Sequence, residues 1–199
     1  YYNEWSIPRD IKKSIYYFSL SAKQNICLSQ YFLGEIYYYG INVEKNIQIA
    51  IHYLKLAANQ NFPVAQCFLG WIYYNNKDIP VNIDLSIYYF MLSARLNYSD
   101  SQFHLGIIYY EGKYVQKDIY KAIHYFRLAA NQNNSSAQYF LGFIYIADSD
   151  IEQNFEKGIF YLQNAAENGN IDAHYALGFL YHKGKYVEKN IKKAIHYYK

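Results

Sequence analysis

The chain has only two cysteines, Cys27 and Cys67, in 199 residues. Two are too few for a disulfide framework or a cysteine zinc site, so each is expected to be a buried free thiol. No run approaches the roughly 18 apolar residues of a membrane span, and no signal peptide is visible. The chain also lacks an initiator Met, so targeting information is not legible in it. Charge is sparse and balanced: 19 basic against 16 acidic residues give a net +3. A polyanion binder would concentrate Lys and Arg on one face, whereas pairs such as Lys12-Lys13 and Lys192-Lys193 read as solvated helix surface. There is no HExxH and no phosphate-cradling glycine loop.

Aromatic residues are abundant. There are 27 Tyr and 12 Phe, and hydrophobic residues make up 52% of the chain, enough for a buried core. Two origins remain open. Tyr, Phe, Ile, Asn and Lys share A/T-rich codons, and selection for an aromatic binding face would also enrich rings.

The rings fall in a register. Leu-Gly recurs at Leu33-Gly34, Leu69-Gly70, Leu105-Gly106, Leu141-Gly142 and Leu177-Gly178, each step 36 residues. Three residues after each Gly comes Tyr37, Tyr73, Tyr109, Tyr145 or Tyr181. A polar helix-capping residue recurs at Asp10, Asn46, Asn82, Asp118, Asn154 and Asn190, and a second Tyr at 17, 53, 89, 125, 161 and 197. A fixed period means a stacked array and not a conventional domain.

One period reads as two helices. The first, near 28–39 and its equivalents, sets a small residue, Leu and Tyr four apart on one face. A mid-helix Gly costs about 1 kcal/mol relative to Ala, so its recurrence implies close approach of another helix. Gly40, Gly112 and Gly184 supply left-handed caps, with Asn76 and Asp148 as weaker substitutes. A short loop then buries Val43, Ile79, Val115, Ile151 or Val187. The second helix starts at the Asn/Asp cap and ends at Asn25, Asn61, Asn97, Asn133 or Gly169, residues that tolerate the left-handed conformation. Ser86 and Gly158, at a position held by Ala elsewhere, are expected to loosen their helices. Neither helix buries its apolar face alone, so the hairpins must stack.

The run small-x-x-x-Leu-Gly-x-x-Tyr-x-x-Gly, then Val, Asn/Asp, Ala-Ile-x-Tyr and Ala-Ala, resembles the Sel-one-like repeat (SLR), a relative of the tetratricopeptide repeat. The clearest unit contains LGIIYYEGKYVQKDIYKAIHYFRLAANQN. Plain tetratricopeptide repeats would have a period of about 34. The resemblance implies an all-α fold, a right-handed superhelical αα-hairpin solenoid of 36-residue repeats. The register divides it into a partial repeat 1–25, full repeats 26–61, 62–97, 98–133 and 134–169, and a partial repeat 170–199. Tyr1 and Ile7 match positions of a preceding repeat, and Lys199 falls inside a second helix, so an excerpt of a longer array is expected.

The resemblance further implies that first helices line a concave surface. Its candidate partner-binding residues flank each Leu-Gly: Phe32, Phe68, His104 and Phe140 before it, and Glu35, Trp71, Ile107, Phe143 and Phe179 after it. A solvated face should be polar, and these positions are mostly aromatic, as at an interaction site. The competing reading buries this stripe between neighbouring repeats. By resemblance the expected role is a non-catalytic adaptor or scaffold for a protein or peptide, in protein quality control with a ubiquitin ligase or in signalling. The alternatives are an activator of a membrane-bound enzyme, or a structural array with no partner groove.

No catalytic, cofactor or metal residues are expected. His52, His124 and His196 share a register but lie two repeats apart, without the i, i+4 spacing of a zinc helix. His104, His174 and His182 are expected at the surface or facing a partner. Nucleic acid is not an expected partner, because helical RNA readers need a regular polar code where this chain has Phe, Trp and Ile. Three glycosylation sequons, at Asn97, Asn133 and Asn134, hint only faintly at secretion. Cytoplasm and endoplasmic reticulum lumen both stay open.

Overall fold

The computed structural model describes residues 11–75 and 77–199. Expectations for Tyr1, Ile7, Asp10 and Asn76 lie outside the described residues. All regular structure among those described is helical. It comprises α1 (Ile11–Lys23), α2 (Cys27–Tyr39), α3 (Ile47–Ala58), α4 (Pro63–Asn75), α5 (Ile83–Arg95), α6 (Ser99–Glu111), α7 (Ile119–Ala130), α8 (Ser135–Ala147), α9 (Phe155–Glu167), α10 (Ile171–Lys183) and α11 (Ile191–Tyr197). Paired antiparallel neighbours make α2–α3, α4–α5, α6–α7, α8–α9 and α10–α11 hairpins, the αα-hairpin solenoid expected from the period. None of these helices is long and apolar enough to cross a membrane.

The chain divides into two compact units, residues 1–96 and 97–199. In the first, Leu54, Ala57, Ala65, Leu69 and Ile72 form a core with no exposed surface. The second has two core clusters, one around Ala122, Phe126, Leu141 and Ile144, the other around Leu162, Ala165, Ala173 and Leu177.

Local chemistry sets the helix boundaries. Asn46, Asn82, Asp118, Asn154 and Asn190 each accept a hydrogen bond from the backbone N–H three residues on, satisfying an orphan donor. Asn25, Asn61, Asn97, Asn133 and Gly169 have positive φ after each second helix, as expected. Gly40, Gly112 and Gly184 cap first helices at φ 70°, 64° and 69°. Asp148 corrects the expectation of a left-handed substitute. It is extended at φ −76°, ψ 132°, and its carboxylate accepts from the Asp150 N–H at 2.9 Å. A side-chain turn thus replaces the left-handed backbone.

The mid-helix glycines mark where the two helices of a hairpin touch. A Cβ on Gly34 would lie 2.6 Å from Leu54, on Gly70 2.7 Å from Phe90, and on Gly106 2.5 Å from Phe126. Ser86 and Gly158 do not loosen their helices as expected. The buried Ser86 hydroxyl donates to the Gly70 carbonyl at 2.8 Å. Gly158 is filled from outside, since a Cβ there would lie 2.4 Å from Ile146.

Rings and amides complete each hairpin. Tyr37 stacks on Tyr53, Tyr73 on Tyr89, Tyr109 on Tyr125, Tyr145 on Tyr161 and Tyr181 on Tyr197, with centroids 5.8–6.1 Å apart and planes within 10°. Burial, and then the facing Tyr, raises the phenol pKa of Tyr53, Tyr89, Tyr161 and Tyr197. The second device is a column of buried Gln. Gln30, Gln66 and Gln138 donate to the carbonyls of Ala22, Ala58 and Ala130 at the end of the preceding helix. These are orphan acceptors of a helix C-terminus, now satisfied by the next hairpin. The Oε1 atoms of Gln30 and Gln102 accept from Gln60 and Gln132 at 2.7 Å, and that of Gln138 accepts from Asn168 at 3.0 Å.

Candidate partner-binding surface

The nine residues named from the sequence separate into three environments. Phe32, Phe68 and Phe140 are half-buried against the hairpin before them. Phe32 stacks on Phe18 with centroids 5.2 Å apart, Phe68 lies 5.0 Å from the Tyr38 ring, and Phe140 stacks on Phe126 at 5.3 Å. At this position the rings act as packing between successive hairpins.

Trp71, Glu35, Ile107 and His104 are also half-buried. Trp71 meets Tyr38 at 5.9 Å, and Glu35 accepts a 2.6 Å hydrogen bond from the Tyr31 hydroxyl. Ile107 packs against the core of the second unit. His104 lies beside Phe103, and burial lowers its pKa from the usual 6.5, an effect opposed by the nearby Asp100 carboxylate. His182 is exposed and His174 is half-buried. Its Nε2 lies 3.1 Å from the Ala166 carbonyl, so it occupies the place of Gln in the clasp column.

Phe143 and Phe179 are different. They are 45% and 41% exposed, and both line one cavity of about 350 Å³ in the second unit. Tyr139, Ile146, Leu162, Asp172, Tyr175 and Lys185 also line it. The helical period produces this wall: Tyr139, Phe143 and Ile146 lie four and three apart on α8, and Tyr175 and Phe179 four apart on α10. Tyr186 closes one side. Its φ of 66° is rare for an aromatic residue, and its ring stacks on Phe155 at 4.0 Å.

Sequence reasoning missed Tyr139, Tyr175 and Tyr186. Tyr175 carries a signal in hindsight, since it shares the register of Tyr31, Phe103 and Tyr139, an aromatic position facing the following hairpin. Cys27 and Cys67 are unbridged and half-buried. Among the described residues no three His, Cys, Asp or Glu side chains gather as a metal site would require.

Stacked αα-hairpins with glycine-mediated helix contact define a helical repeat protein. The Sel1 repeat profile matches residues 1–26, 27–62, 63–98, 99–134, 135–170 and 171–199, and the chain belongs to the Sel1 repeat family. Proteins of this family are generally protein-interaction scaffolds. The structure is similar to a Sel1 repeat protein from Oxalobacter formigenes, at 28% identity and a TM-score of 0.88, covering 96% of this chain and 78% of that one. It is also similar to c5321, a protective antigen of uropathogenic Escherichia coli with an SLR fold, at 27% identity and a TM-score of 0.86. That match covers 92% of this chain but 39% of the antigen. The immunity protein Pa5087 from Pseudomonas aeruginosa, at 20% identity and a TM-score of 0.63 over 97% of this chain and 74% of that one, shares the fold. A search of curated proteins finds no match.

Proposed function

We propose that the chain is a non-catalytic adaptor that holds a partner protein by seating apolar side chains in the groove walled by Phe143 and Phe179. The observation that carries this reading is the pair of partly exposed Phe rings sharing one cavity with Tyr139, Tyr175 and Ile146. Elsewhere the same first-helix positions are packed away, as Trp71 and Ile107 are. Each ring is already more than half buried, so covering the remainder against a partner gives about 1 kcal/mol per ring, to which the exposed Tyr175 adds.

The mode is that of a helix or extended segment laid along a groove between helices, with anchors entering pockets. Residues 26–61, 62–97, 98–133 and 134–169 then act as successive copies of one module, of which 134–169 presents Phe143 to the partner.

A photo-crosslinking residue placed at Phe143 identifies the partner, and Phe143→Gln with Phe179→Gln tests the groove. The double variant is expected to melt as the parent does and to lose at least about tenfold in affinity for that partner. Undiminished affinity would remove the groove from the reading, and a Trp71→Ala variant that alone abolished capture would move the contact to the first unit.

A further inference from the structure

Two cations from different hairpins converge on one tyrosine pair in the second unit. Lys157, on α9, lies 4.8 Å from the centroid of the Tyr145 ring. Arg127, on α7 of the preceding hairpin, lies 6.0 Å from the same centroid, and its Nη2 donates to the Tyr145 hydroxyl. Both side chains are exposed, and among the described residues neither is bridged to a carboxylate. The ring faces attract both charges, but an aromatic face compensates a cation only partly.

The equivalent stacks are not arranged this way. At Tyr181–Tyr197, Lys193 sits 5.0 Å over Tyr181, but the side chain reaching Tyr197 from the preceding hairpin is the neutral Gln163. Over Tyr109 the corresponding Lys121 is bridged to Asp118 at 3.2 Å. At Tyr73, Lys55 arrives from the preceding hairpin at 6.0 Å, and Leu85 holds the register of the second cation. Two cations held on one tyrosine pair, with neither bridged to a carboxylate among the described residues, make this face complementary to an anion. A guanidinium fork matches a carboxylate geometrically, and an ammonium adds a freely rotating donor. Phosphate sites usually add a cradle of free backbone N–H groups at a helix N-terminus or nest; Lys157 stands in the first turn of α9, but its own N–H is already taken by the Asn154 side chain at 2.9 Å, and Arg127 lies in the last turn of α7.

We propose that Arg127 and Lys157, braced by Tyr145 and Tyr161, form a docking point for an Asp or Glu carboxylate of an acidic partner segment. None of these four residues lines the Phe143–Phe179 groove, so this point stands or falls independently of it. Its recognition is electrostatic and weakens with salt, unlike that of the groove.

Fluorescence anisotropy of a fluorescein-labelled oligoglutamate peptide at low ionic strength tests the proposal. Arg127→Gln copies the Gln163 arrangement, and Lys157→Gln stands where Ile49 and Leu85 are uncharged, so both variants are expected to fold, checked by thermal melting. Each is expected to bind the peptide about five- to tenfold more weakly than the parent, while Lys121→Gln, which removes an already paired charge, changes it by less than about twofold. Three outcomes overturn the proposal: no peptide binding by the parent, equal binding by Arg127→Gln and Lys157→Gln, or an equal loss in Lys121→Gln, which would indicate diffuse charge attraction. Displacement of the peptide by inorganic phosphate at lower concentration than by free glutamate would also overturn it, in favour of a phosphate site. If Arg127→Gln failed to fold, Lys157→Gln alone would decide.

Discussion

The α2–α3 and α4–α5 hairpins of the first unit share glycine contact and tyrosine stack, yet one is closed by an amide clasp and the other is not. In α2–α3, Gln60 donates to Gln30 Oε1 and to Asn25 Oδ1, so the buried Gln30 is satisfied at both ends. In α4–α5 the residue at the position of Gln60 is Leu96, which has no side-chain donor and is exposed. Gln66 still donates to the Ala58 carbonyl, but its Oε1 is buried without a partner among the described residues. One substitution in a loop therefore leaves an unsatisfied acceptor inside its own hairpin. The comparison shows that apolar packing defines the hairpin, whereas polar closure is an added and separable layer.

The glycine contact breaks both hairpins alike. Gly34→Ala and Gly70→Ala each force a Cβ into Leu54 or Phe90 at under 3 Å. Each is expected to cost about 1–3 kcal/mol in urea denaturation despite Ala's better helix propensity. A marked difference between the two would show that the hairpins differ in packing as well as in hydrogen bonding.

The clasp can be moved in either direction. Gln60→Leu reproduces the α4–α5 situation in α2–α3 and orphans Gln30 Oε1, an expected loss of about 1–2 kcal/mol. The reverse change, Leu96→Gln, supplies the missing donor to Gln66 and is expected to stabilise by about 1 kcal/mol. No gain from Leu96→Gln, in a variant that remains monodisperse, would mean that water already satisfies Gln66.

The smallest effect is a pH dependence in the second unit. Burial holds the His104 pKa below its usual value, so the unfolded chain binds the proton more readily. Stability is then full above about pH 6.5 and falls as pH drops through the folded-state pKa. His104→Phe, the residue type at 32, 68 and 140, is expected to remove that fall, as read from melting temperature against pH. A parallel acid slope in parent and variant would assign it elsewhere.

The legible parts of the fold were those whose chemistry is local. An Asn that accepts from a backbone N–H three residues on needs no distant partner, and Asn46, Asn82 and Asn154 could be assigned from the sequence. Asn61 and Asn133 were equally plain, because tolerance of positive φ is a property of the residue itself. Asp148 was misjudged because two solutions end a helix there, and its own carboxylate selected the second. The Gln column was not read from the sequence, because its meaning depends on carbonyls of the preceding helix, which no local pattern locates. The same limit governs the aromatic row: Phe140 and Phe143 look alike in sequence, and only the distance to the neighbouring hairpin decides which is packed and which meets solvent.

The edge-to-face contact between Tyr38 and Trp71 turns this geometry into an optical reporter. The chain has two tryptophans, so Trp5→Phe leaves a single indole, wedged between the α2 and α4 layers. Excitation from the α2 tyrosines then reaches that indole only while the two layers remain nested, above a constant share from Tyr73 and Tyr74 on its own helix. The emission ratio of the two chromophores would register their separation, without label or tag, before the helices themselves melt.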